Sequence, residues 1–538
     1  MHKINLNIIL IFCNLLLVLN NMATSQVNKE WLRRYNGMGN SFDAGETIGL
    51  DNFNNIIIGG NTYNSSHSDF MVAKYSSEGQ LLWMRFYDDV GEHDYLHAMA
   101  IDKFGNIYVT GGSSTGGENF DYCTIKFSPS GDLIWVSRYN GTDNELDIAF
   151  DIALDSSGNV CVTGQSDGLG SAADCVTIKY NSSGQMIWLK RFTNANHNDE
   201  GNSISVDLNH NIYVSGSSVN SPNYDDYLIL KYDSSGVQQW MSRYDGTAHN
   251  RDFGRHSITD DSGNVYVTGY TTNLVTGIDI TTIKYNTKGV LMWVQTYNGF
   301  NGSDIGRDIT WDRNRNIYIM GSSVGQGTGY DYVIIKYNMN GEPQWNLRYN
   351  DGLNDFPKSI STDKFNNIYI FGYGDGNQTG NDFVTIMVDS GGVLKWSKRY
   401  DYSGSYGDES SVGIVDNLAN VYVTGQSNRD MLTIKYSQLT GINIPFNNIR
   451  IEFGLQQNYP NPFNPETVIS YYLKVMGRAQ LIVFDVLGNE VATLVNETKP
   501  SGSYEIEFDG RDHPSGIYFY RLEVDGNHID TKRMILLK

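Results

Sequence analysis

Histidines and carboxylates are the side chains in this sequence with the most chemistry to offer, and their spacing decides what kind. His93, His97, His197 and His249 recur at comparable places in a repeating pattern. Converging on one point, they would hold a metal, since neutral imidazole is a common metal ligand. They come from three separate units, however, and solvated loop histidines account for them equally well. We assign no metal to them and keep them as candidate ligand-binding groups. Aspartates recur in three sets of eight. One set (Asp51, Asp102, Asp155, Asp207, Asp260, Asp312, Asp363, Asp416) opens a turn such as "DSSGN". Calcium is the functional alternative for such turns, but a calcium loop gathers several carboxylates. Each turn here offers one, so no cofactor is expected and calcium stays an alternative. "GQGTG" (325–329) follows a strand-like run, as a phosphate loop would. The next segment, "DYVIIKY", is a strand and offers no helix N-terminus to a phosphate. The sequence contains no HExxH or CxxC, and no nucleophile–base pair stands out.

The elements that position these residues come from one unit written eight times. "NIYVTGG" at Asn106 returns as "NVYVTGY" at Asn264 and "NVYVTGQ" at Asn420, with looser copies at Asn55, Asn159, Asn211, Asn316 and Asn367. A repeat of about 50 residues holding four short strand-like segments is the sequence signature of a propeller blade. In this reading the glycine ends the second strand. The tryptophan strand comes first in the chain and has no copy after "LTIKY" (432–436). Pairing "WLRRY" (31–35) with "DMLTIKY" (430–436) closes a ring of eight blades and removes its open edges. A tight register puts Asp121 opposite Arg138, Asp174 opposite Arg191 and Asp226 opposite Arg243. It likewise puts Asp331 opposite Arg348, Asp382 opposite Arg399 and, across the closure, Asp430 opposite Arg34; Asp69 meets Phe86 and Asp279 meets Thr296. Opposite charges facing across strands contribute roughly 0.2–1 kcal/mol each. The fourth turn position after the turn aspartates is Gly or Asn in five of eight units, which suits a left-handed backbone.

Residues repeated eight times are scaffold, because an active site needs unlike groups at one point. The segments that differ are the second-to-third-strand loops, such as "GSSTGGENF", "SSVNSPNYD", "YTTNLVTGI" and "YGDGNQTGN", and the loops leading into each first strand. Both kinds emerge on one face, so the binding surface is expected there, around the central channel.

Composition bounds the rest. A net charge of −21 argues against nucleic acid or an anionic membrane as partner. "MHK", an apolar run and "NNMATSQ" read as a signal peptide over residues 1–25, cut after Ser25, leaving no membrane span. Cys123, Cys161 and Cys175 then remain, an odd number with no metal spacing. Prolines cluster after residue 440, and six or seven short strands follow. The domains expected are a propeller (26–440), a linker (441–454) and a small immunoglobulin-like β-sandwich (455–538).

The unit "D…GNIYVTG…D…TIKY…G…W..RY" resembles the bacterial β-propeller repeat family of secreted proteins, which implies the fold and an extracellular setting but no defined activity. The pieces "NYPNPFNPET", "DVLGNEV", "SGIYFYRL" and "KRMILLK" resemble the C-terminal sorting domain of proteins exported by type IX secretion. That resemblance implies export across the outer membrane and the secretion machinery as a partner of residues 455–538. The expected fold is therefore all-β: an eight-bladed propeller closed by its N-terminal strand, then a sandwich. The expected role is a secreted or cell-surface binding module for a glycan or protein. The alternatives are an extracellular glycan-degrading hydrolase or lyase, or a structural surface protein.

Overall fold

A computed structural model describes residues 26–537, apart from 38–40, 65, 90, 117–118, 143–144, 169–171, 195–196, 221–223, 301, 377–379, 403–406, 440–453, 456, 459–460, 474–475 and 501. The expected signal peptide, and the linker up to residue 453, lie outside the described residues. The chain divides into two compact units, 1–441 and 442–538.

The first unit is a propeller of eight four-stranded sheets. Blades 1 to 7 run in chain order from Ala44–Leu50 to Leu394–Tyr400. Blade 8 takes Asp408–Val415, Val421–Ser427 and Asp430–Leu439 from the end of the unit and its outer strand, Gln26–Tyr35, from the beginning. The first strands of neighbouring blades touch all the way round, so they form the inner wall of the ring. Between blades lie the buried Val, Ile and Tyr residues that alternate along the second and third strands. Sheets buried on both faces explain why these strands read as nearly continuous apolar runs.

A second contact, at the outer rim, repeats from blade to blade. Each outer-strand tryptophan of blades 1–6 and 8 donates its indole N–H to a backbone carbonyl in the third-to-fourth-strand turn of the next blade, at 3.0–3.3 Å. The third-strand lysine of the same blade reaches the same carbonyl, as Lys74 does to Pro129 and Lys435 to Ser77. The turn glycine lies flat under the indole: a Cβ on Gly236 would meet the Trp188 ring at 2.8 Å, and its φ is +83°. Blade 7 faces the closure seam, where no such turn exists. There the lysine is replaced by Met387, and Trp396 donates instead to the Gln438 side chain at 3.1 Å. The closure point is thus written into two side chains as well as into strand order.

The turn aspartates are committed to their own turns. In Asp260, Oδ1 accepts the Ser262 and Asn264 amides, and Oδ2 accepts the Asn264 side chain and the Tyr266 hydroxyl. Blades 1 and 3 have Ile57 and Cys161 where the tyrosine would be, and there Lys74 and Lys179 pair with Asp51 and Asp155 at 3.0 Å. All eight turns place their fourth residue at left-handed φ, including His210, Arg315 and Ala419, which lack the usual glycine or asparagine.

Three sequence expectations are corrected. The Asp–Arg register is shifted by two: Arg138 lies opposite Cys123, Arg191 opposite Val176, Arg243 opposite Leu228, Arg348 opposite Val333, Arg399 opposite Val384 and Arg34 opposite Leu432. Phe86 and Thr296 likewise face Met71 and Thr281, not Asp69 and Asp279. In blade 2 the turn contributes one residue of this shift and a bulge beside Phe127 the other. A shift of two keeps side chains on the same face, and a diagonal neighbour stays within reach of a long guanidinium. Ion pairs therefore form diagonally: Arg138–Asp121 at 3.6 Å, Arg191–Asp174 at 2.6 Å, Arg348–Asp331 at 2.7 Å, Arg399–Asp382 at 2.8 Å and Arg34–Asp430 at 3.1 Å. Arg243 donates to the Ser218 hydroxyl at 2.9 Å. Second, the glycine of "NIYVTG" does not end its strand, which continues to Ser114 in blade 2. Third, the variable loops are shorter than they read. In blade 5 the ladder runs on to Asn273 and Gly277, leaving only 274–276 as the tip.

The second unit is a sandwich of a three-stranded and a four-stranded sheet around a buried apolar core. The segment "NYPNPFNPET" is fastened to the last strand: Phe463 pairs with Leu536, and Asn461 accepts the Ile535 amide at 2.9 Å. Met534 and Leu536 are fully buried.

Candidate ligand site at the channel mouth

Every first strand breaks its ladder at the same place. One residue is skipped between Gly45 and Thr47, and equivalently in the other seven blades. The skipped residues are Glu46, His97, Phe150, Asn202, Arg255, Arg307, Lys358 and Ser411. The second-strand glycine makes the bulge fit. A Cβ on Gly164 would lie 1.9 Å from the Ile148 carbonyl oxygen, and Gly60, Gly111, Gly216, Gly269, Gly321 and Gly372 are as tightly placed against their partner strands. A bulge on an inner-wall strand re-aims a side chain out of the ladder. The repeated glycine thus serves a position that differs from blade to blade. Four of these residues lie close enough across the channel for their charges to act at one point: Lys358 of blade 7 senses Glu46 of blade 1 and Arg307 and Arg255 of blades 6 and 5.

The position just after the bulge binds neighbouring blades together. Asp151 accepts the Ile204 amide at 2.8 Å, Asp308 the Ile360 amide at 3.0 Å, and Ser359 the Gly413 amide at 3.1 Å. In blade 5 this position is His256, whose Nδ1 forms an ion pair with Asp308. Asp308 and Asp151 hold its pKa up at about 9, against a burial penalty that is the largest single effect. The channel wall crowds the ring, yet 39% of the side chain stays open to channel water. Sequence reading missed His256 because it sought histidines at loop ends. Its signal was positional: it stands where five other blades carry Asp, Ser or Thr and blades 2 and 8 carry Ala98 and Val412.

The four histidines singled out from sequence do not converge. His93 accepts from the Ser68 amide at 3.2 Å and stacks on Tyr95 with ring centroids 5.7 Å apart. His97 is the bulge residue of blade 2. It meets Phe150 edge-on, burial pulls its pKa down, and it lines a cavity of about 350 Å³ with Glu46, Tyr63 and Tyr95. His197 is half-buried in the loop before blade 4. His249 is 79% exposed and pairs with Asp245 at 2.6 Å, which raises its pKa. The groups of potential metal ligands among the described residues are His67–Asp69–Asp88, Asp226–Asp245–Asp252 and Asp382–Asp401–Asp408, and none contains these four.

Two family models match the chain. A secretion system C-terminal sorting domain covers residues 457–537, and a β-propeller repeat covers 187–222, 293–326 and 344–377. No curated protein matches. Similar solved structures include an ulvan lyase of a new polysaccharide lyase family, at 12% identity, TM-score 0.39, and 70% of this chain against 97% of that one. A gluconolactonase from Xanthomonas campestris matches at 12% identity, TM-score 0.29, and 57% against 89%. A eukaryotic initiation factor matches at 9% identity, TM-score 0.36, and 66% against 88%. Identities and scores this low say nothing about what this chain binds.

Proposed function

We propose, for a secreted or cell-surface chain that carries β-propeller repeats and a type IX sorting domain, that the propeller is an extracellular binding module. Its ligand is a glycan or protein seated at the channel mouth on the variable-loop face. One observation carries this reading: a position set by a bulge in all eight blades, and backed by a tightly packed glycine in seven of them, carries seven different residue types, from Glu46 to Ser411. A scaffold that holds the place and varies the group is what recognition of one asymmetric ligand requires. The test is to screen the mature chain against immobilised glycans, recording both retention and released product. Retention lost on Tyr95→Ala, beside His97, and on Tyr373→Ala, whose ring lies 5.5 Å from the Lys358 ammonium, supports the reading; retention unaffected by both overturns it.

The enzymatic alternative has one observation behind it. A histidine held protonated by two carboxylates in a channel is suited to general-acid work, and His256 is such a group. Product release abolished by His256→Asn, with retention kept, would select this alternative.

A further inference from the structure

Three of the eight bulge positions carry cations, and they fall in consecutive blades: Arg255, Arg307 and Lys358. In a chain with 60 acidic against 39 basic residues, carboxylate partners are abundant. Elsewhere in the propeller, Arg138, Arg191, Arg348 and Arg399 each hold one. Among the described residues, no carboxylate forms an ion pair with any of the three channel cations. The Nε of Arg255 is buried with no acceptor. Arg307 spends its Nε on the Ser322 hydroxyl, at 2.9 Å, and its terminal nitrogens have no hydrogen-bond partner among the described residues. Lys358 forms no hydrogen bond or ion pair among the described residues, and its ammonium lies 5.5 Å from the centre of the Tyr373 ring.

The three cations repel one another. Arg307 is lowered in pKa by burial and then by Arg255; Lys358 by burial and then by Arg307, with Glu409 and Glu46 offsetting part of this. Glu409 is itself held by the Asn381 side chain at 2.7 Å. Repulsion of this kind is relieved by an anion from outside. The same three blades also carry aromatic rings beside the cations. Phe253 stacks on Tyr270 at 5.9 Å with both under Arg255, and Phe356 touches Tyr330 and Tyr373 at 5.5 and 5.4 Å. Guanidinium forks grip carboxylate and sulfate in two-point fashion, and aromatic faces take sugar rings.

The geometry points to an anion-binding arc, Arg255–Arg307–Lys358 with its neighbouring rings, that takes the carboxylate- or sulfate-bearing sugars of an acidic polysaccharide. This deepens the binding role proposed above and rests on it. A free anion would need only the cations; the ring-lined extension over three blades suits a polymer.

The test uses the mature full chain with polygalacturonate, chondroitin sulfate, neutral amylose and inorganic sulfate. We expect both acidic polymers to bind, more weakly as salt rises, and amylose not to. The variant R255Q/R307Q/K358Q should bind them at least tenfold more weakly. R313Q/K364Q, which removes cations from the first-to-second-strand turns at the far end of the first strands, should stay within twofold of wild type. The single variant K358Q, altering one exposed side chain, should lose severalfold and guards against misfolding of the triple variant. Amylose binding as tightly as the acidic polymers, with loss on Tyr373→Ala, would overturn the anion assignment and leave the mouth as the ligand site. Acidic polymers held equally well by every variant would overturn both. Inorganic sulfate displacing the polymers at matched charge concentration would overturn the polysaccharide assignment in favour of a simple anion.

Discussion

His256 differs from the other candidate histidines in being half-buried and yet raised in pKa, because Asp308 and Asp151 outweigh the burial penalty. Its pKa lies near 9 in the folded ring, against about 6.5 unfolded. A raised histidine stabilises fully below its unfolded pKa, and the contribution fades as pH rises through the folded value. The stability gap between wild type and His256→Gln should therefore be greatest below about pH 6.5 and close as pH passes about 9, as denaturant midpoints across that range would show. A gap independent of pH would contradict the assignment. Ala419 is a simpler case. It sits at φ +62°, where a Cβ costs roughly 1–2 kcal/mol and glycine's extra freedom returns part of that. Ala419→Gly should raise stability by about 0.5–1 kcal/mol in urea melts. The three cysteines lie fully buried, with thiols pushed up to about 12 by burial. They should resist thiol reagents at pH 8 until the ring unfolds, then react together.

Between blades, the rim contacts give element-scale predictions. Met387→Lys would place an ammonium in a site 92% closed to solvent, with no turn carbonyl to receive it. A cost of about 2–4 kcal/mol is expected from thermal melts. The same substitution made as Lys→Met in another blade should cost less, because it removes a charge instead of stranding one. The elements also show what the sequence disclosed. Strand order, closure and blade count followed from repeat spacing, which chain connectivity preserves. The Asp–Arg pairs were visible as residue partners but not in register, since a bulge adds a residue without altering composition. The bulge at the candidate site was hidden for the same reason. Its marker, the glycine of "NIYVTG", looked like a strand end, because a clash with a facing carbonyl exists only once the partner strand is in place. Arg255, Arg307 and Lys358 were each ordinary in sequence, and only the ring brings their positions together.

At the scale of the molecule, the two compact units have separate cores. Removing residues 534–538 takes away buried Met534 and Leu536 and the strand that fastens Phe463. The C-terminal transition should disappear from calorimetry while the propeller transition stays. Deleting residues 26–35 should have the reverse effect: it opens blade 8 and exposes the edge of Asp430–Leu439. The closing strand also constrains the order of events during synthesis. Its partner is made some 400 residues later, and the sorting domain later still. A chain cut short before its eighth blade lacks both the partner that seals the ring and the address that exports it. Export of rings left unsealed by truncation is therefore prevented by the order of synthesis.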